Sequence, residues 1–149
     1  MKTKIIIYIL FLSLIVPVAV KGQEGEPAPA KQRDYATIWF YRKPEFYNGR
    51  FACWVDEVKL VSEFRSASYF WLNLPPGTYE IRTDGRPAWA IYEKKYQLKV
   101  EAGQQYYVEA GVDYDFLGTA LFLNERSKTE FNQIQSKLTF DARANRTLD

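Results

Sequence analysis

Few residues in this chain are of a type that does chemistry. Its 149 residues contain no histidine. That removes the commonest general base, the commonest metal ligand and every Ser-His-Asp or Cys-His catalytic set. Cys53 is the only thiol. It falls mid-strand on the expected core face, where no imidazole can activate it. One cysteine also cannot staple a monomer. Asp113 and Asp115 flank Tyr114 and put two carboxylates on one side of an extended segment. They could hold Ca²⁺, but the Asp/Asn ladder, central Gly and terminal Glu of an EF-hand loop are missing. A solvated loop is the better reading. Glu24 and Glu26 read as solvated too. Nothing brings two acids together as a glycosidase pair. There is no P-loop, no G-x-G-x-x-G and no Cys/His metal spacing. No catalytic residue, metal or cofactor is therefore expected. Asn145-Arg146-Thr147 matches a glycosylation sequon, which counts only in a eukaryotic secretory pathway.

What remains is aromatic chemistry, from 4 Trp, 11 Tyr and 10 Phe. Trp and Tyr faces can stack on pyranose rings, and Trp39, Trp54, Tyr69 and Trp71 are the candidates for such a site. They need strands to present them. Residues 35–42, Y-A-T-I-W-F-Y-R, are dense in β-branched and aromatic types. Residues 51–55 alternate, and Asp56-Glu57 can turn the chain into residues 58–63, without the glycine a type I′ turn prefers. Ser68–Leu74 places Phe70, Leu72 and Leu74 on one face and Tyr69 and Trp71 on the other. Pro75, Pro76 and Gly77 suit a type II turn, which predicts a hairpin into residues 78–83. Residues 84–90 read as a loop. Residues 96–100, 105–112 and 118–124 are the remaining strands, with a loop at 113–117.

The C-terminal part changes period. Ser127 and Glu130 form a capping box, and Phe131, Ile134 and Leu138 make one helical stripe, which predicts a helix over residues 128–138. Residues 141–149 are polar and are expected to fray as a tail.

The N-terminus reads as an address. Lys2 and Lys4 precede an apolar run over residues 5–20, with Val20 and Gly22 placed for a cut after Gly22. The run falls short of the roughly 20 residues a spanning helix needs, so cleavage is preferred over the rival, an uncleaved anchor. Residues 1–22 hold Lys2, Lys4 and Lys21 and no acid. Removing them turns the formal charge from +2 (20 basic, 18 acidic) to −1 (17 basic, 18 acidic). Neither balance points to nucleic acid. Residues 23–34 lack bulky apolar side chains and read as a flexible tether to a domain spanning residues 35–140.

If Ile38, Phe40, Phe51, Cys53, Phe70, Leu72, Ile81, Leu98 and Val108 fill the core, the opposite faces carry Trp39, Tyr41, Trp54, Tyr69, Trp71 and Tyr107. A face in water would be polar. Three coverings are open: the C-terminal helix, a second copy of the chain, or a sugar.

The order of motifs resembles the bacterial family called domain of unknown function 2846. The residues that carry the likeness are Ala36-Thr37-Ile38-Trp39-Phe40-Tyr41-Arg42, Tyr69-Phe70-Trp71-Leu72-Asn73-Leu74-Pro75-Pro76-Gly77-Thr78-Tyr79 and Glu101-Ala102-Gly103-Gln104-Gln105-Tyr106-Tyr107. The resemblance implies a small β-sandwich at the cell envelope and carries no catalytic residue across. The family has Asp-Gly where this chain has Asp56-Glu57, which implies a distorted turn. Lipid-anchored members have a cysteine at the cut site, and here Cys53 is far from it.

The expected fold is an antiparallel β-sandwich of about seven to eight strands, transthyretin-like or Ig-like, with a C-terminal helix packed on one sheet. The expected function is a non-catalytic binding or interaction module. It would be exported to the periplasm, the outer-membrane surface or the medium. Its partner would be a protein, a second copy or a carbohydrate, with no membrane span in the mature chain. The alternative is a carbohydrate-binding module using the aromatic face, and the third reading is an acid-pair hydrolase.

Overall fold

The structure, a computed structural model, describes residues 34–46, 49–84, 94–115 and 118–148. The expected export segment and the expected tether up to residue 33 lie outside them. So does most of the loop expected at 84–90. The strands are β1 (Ala36–Arg42), β2 (Ala52–Val55), β3 (Val58–Val61), β4 (Ser68–Leu74), β5 (Gly77–Asp84), β6 (Lys94–Val100), β7 (Gln105–Asp115) and β8 (Gly118–Arg126). Helix α1 (Lys128–Gln135) and the short strands β9 (Thr139–Phe140) and β10 (Arg146–Thr147) follow. One sheet runs β10-β4-β1-β7-β8, with β9 also on β4; the other runs β3-β2-β5-β6. The described residues form a two-sheet sandwich with one helix near the C-terminus, as the alternation and the capping box predict.

Strand β1 is central to the first sheet, and all seven of its residues are buried. Ile38 and Phe40 face the second sheet and join the other seven predicted core residues in one cluster. Trp39 and Tyr41 face the other way, against the helix. β1 pairs antiparallel with β4 but parallel with β7. That departs from the purely antiparallel expectation. A parallel neighbour needs a long crossover, and here the crossover contains the whole second sheet.

The Pro75-Pro76-Gly77 turn also differs from the prediction. β4 and β5 belong to different sheets, so they do not form a hairpin. Two prolines cannot donate to a ladder, and the chain leaves one sheet for the other at that point. Gly77 is not in the left-handed region; among the described glycines only Gly103 is, at φ 74°. Gly77 is there because the Tyr79 ring folds back over it: a Cβ would meet that ring at 3.2 Å. The Tyr79 hydroxyl then donates to the Pro75 carbonyl at 2.9 Å. The P-P-G-x-Y motif is thus a corner latched by its own tyrosine. Tyr79→Phe should lower the unfolding free energy by about 1 kcal/mol, read as a lower urea midpoint at constant slope.

Asp56 takes φ 48° in the β2–β3 turn, a conformation Asp tolerates. Its Oδ1 accepts from the Glu80 N–H at 2.8 Å. The register of the β2–β3 pair shifts between Cys53 and Trp54.

The capping box at Ser127 and Glu130 forms as predicted, and α1 ends at Gln135, with Ser136 as C-cap. The tail does not fray. Thr139 and Asp141 donate backbone N–H bonds to Ala67 and Tyr69 carbonyls, each at 2.8 Å, and Leu148 donates to Asn73 at 3.0 Å. Between them the Asn145 side chain accepts from the Trp71 N–H at 2.9 Å. Ala144 is fully buried. The polar composition that suggests fraying is consumed by the outer edge of β4. Residues 139–148 form a strap along it.

Candidate functional site

The four aromatic candidates do not share a face. Trp39 and Tyr69 are buried under Phe131, with ring centroids at 5.6 and 5.8 Å from it. Trp71 is half-buried on the same face. Trp54 lies on the other sheet, with the Lys59 ammonium 4.5 Å and the Arg82 guanidinium 4.6 Å from its ring centroid. The helix is what occupies the aromatic face, and cations occupy the Trp54 ring. The turn residues Pro75, Pro76 and Gly77 sit at the corner between the sheets, away from Trp39 and Trp54.

The other candidates fare similarly. Asp113 and Asp115 fall within β7 rather than in a loop. Among the described residues no group of three or more His, Cys, Asp or Glu could hold a metal ion. Burial, with Asp84 nearby, pushes the Cys53 thiol up to about 12, so the thiol stays protonated. Hydrogen bonds from Arg65 to Glu63, from Ser127 to Glu130 and from Arg143 to Asp141 hold those carboxyls below their usual range. A proton-donating member of a glycosidase pair requires the opposite shift.

A different constellation forms where β1 ends and β4 begins. Arg42 is fully buried. Its guanidinium donates to the Phe64 carbonyl at 2.6 Å and the Gly49 carbonyl at 3.1 Å, and pairs with Glu45 at 2.8 Å. The other oxygen of Glu45 accepts from the Val112 N–H at 3.2 Å. The Glu45 N–H donates to Ser66 Oγ at 2.9 Å. The base of the segment after β1 is therefore fixed from three sides. The next residue, Phe46, is 105% exposed. A rigid base thus displays a phenylalanine entirely in water.

The charges around it have a direction. Lys43 pairs with Glu109, Arg50 and Arg65 with Glu63, and Arg143 with Asp141. The four cations are 47, 71, 55 and 61% exposed, whereas Glu109, Glu63 and Asp141 are 10, 26 and 12% exposed. In each of these four pairs the cation is outside and the acid inside, the reverse of the Arg42–Glu45 pair. Two depressions of about 390 Å³ each meet at Arg143, one floored by Leu60 and Val61, the other by Ala67 and Phe140. Ala67 is held at φ 53°, in the left-handed region that costs an L residue energy. Burial and the neighbouring Glu109 push the Tyr41 phenol up, so it donates to that carboxylate rather than ionising.

A family model described as a protein of unknown function, DUF2846, matches residues 32–118. The chain belongs to this family. The DUF2846 match runs from before β1 through β7 to the first residue of β8, so it includes Arg42, Glu45, Phe46 and Arg65. Phe131 and Arg143 come from beyond it. No curated protein matches the chain. No helix among the described residues is long and apolar enough to cross a membrane.

Sequence reasoning misses this end of the DUF2846 domain. Arg42 reads as the polar last residue of an apolar strand. Its acceptors come from two other segments, so no local pattern announces its burial. The one available signal is Phe46 itself, an aromatic beside Tyr47 in a segment bounded by Pro44 and Gly49.

Proposed function

We propose that this protein is an exported, non-catalytic binding module of the cell envelope. We further propose that it binds through the end of the sandwich carrying Phe46. The observation that carries this reading is the wholly exposed Phe46 on a base locked by the ion pair of the buried Arg42 with the half-buried Glu45. Exposed apolar side chains held in one place, with cations around them, mark recognition surfaces rather than packing errors. The lysine-led apolar segment at residues 1–22 supports export.

Two measurements test it. Residues 1–22 fused to a periplasm-dependent β-lactamase should confer resistance on a Gram-negative host, and loss of the apolar run should abolish it. A photo-crosslinking phenylalanine at position 46 should label an envelope component in cells, whereas the same group at exposed Thr78 should not. Equal labelling at both positions would remove the binding reading.

A further inference from the structure

The exposed end matches a surface that is anionic outside and apolar beneath. Resting on the reading that the chain is exported, we infer that this end docks peripherally on an anionic lipid surface. Phe46 enters the interfacial layer, and Lys43, Arg50, Arg65 and Arg143 face the lipid phosphates.

Three features favour lipid over a protein partner. First, among the described residues the exposed apolar element at this end is a single ring. Val58, the other exposed large apolar side chain among the described residues, lies on β3. A protein interface needs a contiguous apolar centre enclosed by a rim. A lipid surface needs only a wedge and a charge. Second, the cations come from three separate parts of the chain, Lys43 and Arg50 after β1, Arg65 before β4 and Arg143 in the strap, that converge on one end of the sandwich. They form a scatter of charge rather than a fitted pocket, which suits laterally mobile phosphates. Third, the acids are withdrawn. Next to an anionic layer the outward cations lie nearer the phosphates than their partners do, so attraction outweighs repulsion although the pairs are locally balanced. The bidentate Arg143–Asp141 pair, at 2.8 and 2.6 Å, still leaves guanidinium N–H donors for a phosphate. The locked base keeps the ring displayed, so little ordering is needed on docking.

The test uses the chain from residue 23 onward, sedimented with vesicles of equimolar phosphatidylglycerol and phosphatidylcholine, and with phosphatidylcholine vesicles alone. The protein should pellet with the anionic vesicles and be released by molar salt. It should bind the neutral vesicles at least about tenfold more weakly. Phe46→Ser should weaken binding roughly tenfold. Arg50→Gln, Arg65→Gln and Arg143→Gln should each weaken it roughly fivefold. Position 46 is solvent-exposed, so Phe46→Ser should melt like the wild type, and any loss is a loss of binding. Failure of the wild type to pellet with anionic vesicles, or equal pelleting of Phe46→Ser, overturns the inference. So does a concentration-dependent solution mass that Phe46→Ser abolishes in the absence of vesicle binding, since that makes Phe46 a protein contact. The reporter fusion is independent of vesicles. Export without vesicle binding sinks only the lipid inference, and vesicle binding without export sinks only the compartment.

Discussion

Arg42→Ala should lower the unfolding free energy by about 3–5 kcal/mol, which equilibrium urea denaturation would register as a large fall in midpoint. The size follows from what the side chain satisfies. The fully buried guanidinium serves the Phe64 and Gly49 carbonyls and the Glu45 carboxylate, and it stacks 5.2 Å over the Phe51 ring. Truncation leaves buried carbonyls without a donor and a carboxylate without its cation, and both carry desolvation costs. Lysine should not rescue the variant. One ammonium on a flexible stem cannot reach three acceptors set out for a planar fork. A destabilisation under 1 kcal/mol would show that the loop after β1 is held by something else.

Phe131→Ala should cost about 3 kcal/mol, with a second readout that locates the damage. Phe131 is the one buried residue of α1 and the hub of the outer aromatic cluster. Its ring lies 5.6 Å from Trp39, 5.2 Å from Tyr41, 5.8 Å from Tyr69 and 5.3 Å from Tyr107, measured between centroids. The rest of the helix is held by the half-buried Ile134 and, beyond its end, Leu138. The cost is capped by the free energy of undocking the helix, because a detached helix loses nothing further. Acrylamide should then quench Trp39, which is 5% exposed beneath the intact helix. Lowered stability with unchanged quenching would mean that the helix stays seated without its anchor.

The parts of this fold that could be read in advance are those that sequence encodes locally. Period-two alternation names Ile38, Phe40, Cys53, Phe70 and Ile81 as core, because burial on one sheet face repeats every second residue. Ser127 and Glu130 announce the helix because both halves of a capping box lie within one turn. Partner choice is not local. Pro75-Pro76-Gly77 reads the same whether the chain reverses within a sheet or crosses to another. The parallel alignment of β1 with β7 leaves no mark on either strand. Residues 141–148 look like solvent-facing tail because composition reports their polarity and not the sheet edge that absorbs it. The candidate site was illegible for the same reason. Arg42 becomes a buried lock only when Gly49 and Phe64 arrive from other segments.

The strap along β4 also sets an order of events. Its residues leave the ribosome well after those of β4, yet they seal that strand's outer edge. Until they dock, β4 presents Ser-Tyr-Phe-Trp-Leu-Asn-Leu, seven uncharged residues with an open backbone edge, which is the composition from which intermolecular β-stacks grow. Two of the closing pieces are only two residues long, and one of the links is a single asparagine side chain. A protease that nicks the chain near residue 143 would therefore do more than shorten it. It would turn a sealed sheet into a nucleus for polymerisation, and the molecule's solubility would then depend on the strap at residues 139–148.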